Sequence, residues 1–195
     1  MNVPAHLILG LAVFGREGDR HRTWGALAGS LVPDVSLFVM VGVQLYVMGT
    51  PPAQVFGGMY FSESWQNVFR VDNSFILWGV ALAVAALLRS RWAMVFCAAA
   101  LLHLVFDFSL HNDDARQNFW PLTSWVFNSP LSYWDPRHYG NVVGPIEIGV
   151  TVVLAGLLLR RYRAWKMRGL IVLLALAEAV PGIIFNMMFA AGLHG

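Results

Sequence analysis

The chain has 195 residues, of which 57% are hydrophobic and 12% charged, about half the roughly 25% charged share of an average soluble protein. A water-soluble globule of this size has too little interior for so much apolar surface. That argues against a soluble enzyme, a disordered tail and a nucleic-acid-binding surface, despite the net charge of +2. The single cysteine, Cys97, excludes an intrachain disulfide and a cysteine-based zinc site. The composition predicts an all-α, polytopic membrane helix bundle in which residues 1–195 form a single domain.

Crossing about 30 Å of hydrocarbon takes about 20 mostly apolar residues. In chain order, residues 3–15 are apolar but short, giving a thin or tilted first helix or a re-entrant piece. Residues 24–48 form a second span with Pro33-Asp34 inside it, and residues 73–88, 92–109, 143–159 and 169–193 form four more. The start lacks the positive region and the cleavage site of a secretory signal. Ten of the thirteen basic residues fall in alternate connections: Arg16, Arg20 and Arg22; Arg89 and Arg91; Arg160, Arg161, Arg163, Lys166 and Arg168. The positive-inside rule assigns these to the cytoplasm, which places six spans in an inner membrane with both termini periplasmic. Trp24, Trp92 and Trp165 lie beside the same basic clusters, where interfacial anchors belong.

Two longer connections, about residues 49–72 and 111–141, then face outward. The second is the most polar part of the chain, yet it holds Phe119, Trp120, Trp125, Phe127, Tyr133, Trp134 and Tyr139. Such aromatic density suits a segment at headgroup level, acting as a cover for the bundle, as a lid over a site, or as both. In the second span, Gly25-x3-Gly29 is a helix-packing pattern.

An ionisable group in hydrocarbon costs roughly 2.5–3.5 kcal/mol or more, so each one needs a reason. The candidates are His6, Asp34, His103, Asp107, Glu147 and Glu178, and most of them fall in the outer half of their spans. The densest signal is His103-x3-Asp107-x3-His111-x-Asp113-Asp114. Residues four apart share a helix face, so His103 and Asp107 present an imidazole and a carboxylate side by side. His111 lies about 12 Å further along a straight helix, and joins them on one ion only if the helix ends between them. Two readings stay open: a metal centre, or histidines that link helices by hydrogen bonds. Asp34 is either part of the cluster or a cap beyond a kink at Pro33. Glu178 reads as a packing or kink residue, and His21, His138 and His194 as solvent-facing.

The set Ala5-His6-Leu-Ile-Leu-Gly10, Leu31-Val-Pro33-Asp34, Leu102-His103-Leu-Val-Phe-Asp107 and Phe119-Trp120-Pro121 resembles the membrane-bound metal-dependent hydrolase family. The likeness covers roughly residues 3–121. It implies a divalent metal held or flanked by His6, Asp34, Asn73, His103, Asp107 and His111, with Asp72 or Asp113 as general base. Where the family carries two central histidines, this chain reads Phe69-Arg70-Val71-Asp72-Asn73-Ser74. A site richer in oxygen and poorer in nitrogen favours Mn or Mg over Zn, and the same change fits a branch without catalysis. The depth of the cluster suggests an amphiphilic substrate in the lipid bilayer, such as a phospholipid or lipid-linked phosphate. The competing expectation is a non-catalytic membrane protein, an assembly factor, carrier or accessory subunit, in which the cluster is structural. A transporter ranks behind both, since no internal repeat is visible.

Overall fold

The computed structural model describes residues 1–190, and the side chains of residues 1–180. The described residues are helical, with no strands among them. The order is α1 (Val3–Phe14), α2 (Arg20–Gly42) running on through a π-helical turn (Val43–Val47), α3 (Pro52–Gln54) with a second π-helical turn (Val55–Met59), α4 (Glu63–Asp72), α5 (Phe75–Leu87), α6 (Arg91–Leu110), a 3₁₀ turn (Pro136–His138), α7 (Gly140–Arg161) and α8 (Trp165–Ala190). The helix starts have local causes. Pro4 stands in the first turn of α1, where a missing N–H costs nothing. Asp19, Ser74 and Ser90 accept backbone N–H groups of Arg22, Leu77 and Ala93 at the starts of α2, α5 and α6.

Four helical runs are long and apolar enough to cross a membrane: Arg20–Val47, Glu63–Leu87, Arg91–Leu110 and Gly140–Arg161. They contain the second to fifth predicted spans. α1 has 12 residues, about 18 Å at 1.5 Å per residue, well short of a bilayer core. The sixth predicted span falls on α8, and its last residues, with His194, lie outside the described residues. The surface is inverted relative to a soluble protein. Val39, Val80, Val84, Val153, Leu157, Leu173 and Leu176 are exposed, while Asp34, Asp107, Glu147 and Glu178 are buried. A helix can show apolar side chains outward in this way only against lipid or another apolar surface.

The central contact joins α2 to α6. A Cβ on Gly29 would overlap the Phe96 carbonyl and come within 2.9 Å of Ala99 Cβ, and one on Gly25 would lie 3.1 Å from the Trp92 carbonyl. The two glycines therefore let the backbones meet. α1 packs against α2, α7 and α8, around Ile8, Leu11, Leu27, Ala155, Leu158 and Ile171. At the basic end, Arg161 Nη1 donates to the carbonyls of Ala12 at 2.7 Å and Gly15 at 3.2 Å, closing the negative end of α1 with a cation. Thr23 and Tyr162 meet through their hydroxyls at 3.1 Å, tying the α1–α2 turn to the end of α7.

α2 continues through Pro33 without a break. Asp34 is therefore no cap, and its side chain lines a cavity instead. The long connection after α6 is held by side chains rather than by regular structure. Asn118 donates to the Asn73 carbonyl at 2.9 Å, Asn112 to the Ser129 carbonyl at 2.6 Å, and Ser129 to the Ser109 carbonyl at 2.6 Å. Phe119 packs against Phe75 and Phe108, and Phe127 stacks on Phe108 with 4.7 Å between centroids. These contacts seat residues 111–139 on the end of the bundle opposite Arg161.

Candidate metal centre

Three helices deliver the central groups. His6 comes from the start of α1, Asp34 from the second half of α2, and His103 and Asp107 from the last two turns of α6. His111 follows directly, because α6 ends at Leu110 and His111 is its C-cap, with an extended backbone. That ending overcomes the separation a straight helix would impose. Asp107 is the hub. Its Oδ1 lies 2.8 Å from His6 Nε2 and 3.5 Å from His111 Nε2, and its Oδ2 lies 3.1 Å from His103 Nε2. Asp34 Oδ2 stands 3.7 Å from His103 Nε2. Ligand atoms of His6, His103 and Asp107 all lie within 4.8 Å of one another, and the three residues are buried.

The hydrogen bonds around the cluster fix how the imidazoles face it. His103 Nδ1 is 2.8 Å from the Ser30 carbonyl. A carbonyl only accepts, so Nδ1 carries the proton and donates it there. The Nε2 of a neutral His103 then turns a lone pair toward two carboxylates. His111 repeats the arrangement: Nδ1 lies 2.7 Å from Asp114 Oδ2, while Nε2 is buried without a hydrogen-bond partner. Nδ1–H anchored on a carbonyl or carboxylate, with Nε2 aimed at a shared point, is how metal-binding histidines are held. Lone pairs facing carboxylates repel unless a cation, proton or metal, lies between them. The Met1 ammonium, 3.0 Å from Asp107 Oδ1, is one positive group already drawn to this position. The residues present therefore fit a divalent ion with mixed nitrogen and oxygen ligands.

Beside the cluster lies a second acidic pair. Asn2 donates its backbone N–H to Glu147 Oε1 at 2.7 Å and its amide to Glu178 Oε1 at 3.1 Å. The other carboxylate oxygen of each is buried without a partner. Glu178 is thus bound into the polar interior.

Outside the helical spans, burial opposes the charging of His111, but the nearby Asp107 carboxylate and the bond to Asp114 outweigh it and raise the imidazole above its usual range. Burial also disfavours ionised Asp114, yet its bond to His111 lowers its carboxyl below the usual range. Burial pushes the Tyr60 and Tyr133 phenols up.

A cavity of about 580 Å³ opens beside the cluster. Asp34, Asp107, His111, Asp114 and Arg116 line its polar side, and Leu37, Phe38, Phe56, Phe61, Tyr133 and Trp134 its apolar side. Deeper in, a void of about 10 Å³ touches Asn73, Asp107, His111 and Arg116, enough for about one water molecule.

Of the residues singled out in the sequence, His6, Asp34, His103, Asp107 and His111 come together. Three do not join them. The Asn73 amide donates to the Phe69 carbonyl at 3.0 Å and so closes α4, although Asn73 borders the small void. Asp72, at the last position of α4, lines neither cavity. Asp113 is exposed at the cavity mouth, 3.4 Å from Arg137. Asp113 thus shares the large cavity with the cluster, and Asp72 does not. His138, expected to face solvent, is half-buried and paired with Asp135 at 3.0 Å. Asp114, the last residue of the motif, bonds His111 as its spacing allowed; sequence reasoning missed Arg116, whose partners Tyr60 and Phe69 are distant in the chain.

No protein family matches the chain, and no curated protein or solved structure matches it. The hydrolase resemblance stands on the quoted residues alone.

Proposed function

We propose that the chain is a membrane-embedded, metal-dependent hydrolase of amphiphilic substrates. The observation that carries the reading is the pair of imidazoles, His103 and His111, whose Nδ1 atoms are tied down while their Nε2 atoms face the buried Asp107 carboxylate. His6, His103 and Asp107 would hold the ion, with His111 beside them. A divalent ion there supplies Lewis acidity and makes water a nucleophile near neutral pH. Asp34 borders the cavity without a hydrogen bond among the described residues, and would accept the proton of the attacking water. The apolar wall of Leu37, Phe38, Phe56 and Phe61 takes the tail of the substrate while the scissile group reaches the cluster. In the proposed orientation the basic end is cytoplasmic and the cavity opens at the periplasmic leaflet of an inner membrane.

The test is turnover of long-chain p-nitrophenyl esters and phosphodiesters by the detergent-purified protein, with metal content measured in parallel. Asp34→Asn should lose roughly 10²–10⁴-fold in rate and keep its metal, whereas Asp107→Ala should lose both. Full turnover by Asp107→Ala would refute the assignment.

A further inference from the structure

Arg116 is 8% exposed and borders both the large cavity and the small void. Its Nη2 donates to the Tyr60 hydroxyl at 3.3 Å, and its guanidinium carbon lies 4.7 Å from the centre of the Phe69 ring. Nη1 is buried with no hydrogen-bond partner. Asp34, Asp107 and Asp114 share the cavity, yet none of them is paired with Arg116 among the described residues. A buried guanidinium has five N–H donors and strongly favours a bidentate oxyanion. Asp34 and Asp107 act on its charge from a distance, but a buried guanidinium with no directly bonded carboxylate is costly unless another oxyanion completes it. The Phe69 face supports the plane of the group from one side.

We infer that Arg116, with the Tyr60 hydroxyl, is the seat for the phosphate headgroup of a phosphate-bearing amphiphile. This rests on the hydrolase reading for what happens next but not for the binding itself. The tail lies along Leu37, Phe38 and Phe56, and the phosphate oxygens meet the Arg116 fork beside His111 and Asp107. Selectivity for phosphate over a neutral or cationic headgroup then comes from a planar cation that lysine cannot replace geometrically.

Binding is read from the tryptophan fluorescence of the detergent-purified protein, Trp134 being part of the cavity wall. Dodecyl phosphate should bind the wild type saturably, and Arg116→Gln should weaken it at least tenfold. Arg116→Lys should fall between the two, and Tyr60→Phe, which removes only the hydroxyl, should weaken it severalfold without loss of fold. Dodecyltrimethylammonium should be indifferent to all three changes. Wild-type binding of dodecyl phosphate should persist in excess EDTA, so that a failed hydrolase assignment and a failed seat are told apart. Equal binding of dodecyl phosphate by wild type, Arg116→Gln and Tyr60→Phe would overturn the seat. So would a wild type that does not distinguish the phosphate from the cationic amphiphile. Competition by inorganic phosphate at the same concentration as dodecyl phosphate would overturn the amphiphile in favour of free phosphate.

Discussion

The imidazole rings of His6 and His103 lie face to face, 3.6 Å between centroids and 12° from parallel. One comes from the first turns of α1 and the other from α6, and both aim Nε2 at Asp107, at 2.8 Å and 3.1 Å. Two imidazolium rings would repel at that spacing.

The approach of α2 to α6 sets this geometry, because Ser30, which orients His103, stands one residue after Gly29. Gly29→Val should destabilise the protein by about 1–3 kcal/mol, read as a lower midpoint of thermal unfolding in detergent. Gly79→Ala, on α5 where an added Cβ meets nothing within 4 Å, is the control and should gain up to about 1 kcal/mol in helix propensity.

Arg161 holds the far end of α1. Arg161→Ala should cost about 1 kcal/mol and loosen α1, read as faster amide exchange at Gly15. Arg161→Lys should recover part of the loss, since one ammonium reaches fewer carbonyls than the guanidinium.

Asp135 carries the turn into α7. It accepts hydrogen bonds from the Arg137 backbone and side chain and from His138. The Arg137 and His138 bonds hold its carboxyl below the usual carboxylate range. A lowered folded-state value means that this stabilisation is present above about pH 4, the unfolded value, and disappears as pH falls toward the folded one. Asp135→Asn should therefore lower the unfolding midpoint at pH 7 and flatten its decline in acid.

Topology is open to labelling. With Cys97 replaced, a cysteine at Asn112 should react with an impermeant thiol reagent in intact cells, and one at Ala164 should not. The reverse pattern would turn the bundle over and place the cavity in the cytoplasmic leaflet.

Much of this was legible in the sequence where the signal was local. The four-residue spacing of His103 and Asp107 put both on one face of α6, and the polar run after Leu110 marked the helix end that lets His111 turn back. Gly25 and Gly29 announced a close helix contact, though not that α6 would fill it. Other features depended on distant partners. Glu178 finds its partner Asn2 at a separation of 176 residues, so on the sequence it looked like a residue beside a proline. Asn73 was matched to a ligand position by its place in a motif, whereas its amide caps α4, a competition between backbone and ligand that spacing does not resolve. Arg116 was one of three basic residues outside the inner clusters. Only the packing of Tyr60 and Phe69 around it shows a buried cation with no directly bonded carboxylate among the described residues.

The most direct test is the metal content of the detergent-purified protein, measured by elemental analysis in the wild type and in His103→Ala and Asp107→Ala. We expect close to one equivalent of Zn, Mn or Mg per chain in the wild type and a trace in both variants. A wild type free of metal after growth and reconstitution with all three ions, or an Asp107→Ala variant that keeps a full equivalent, would contradict a metal centre at Asp107 and leave the cluster a hydrogen-bonded link between helices.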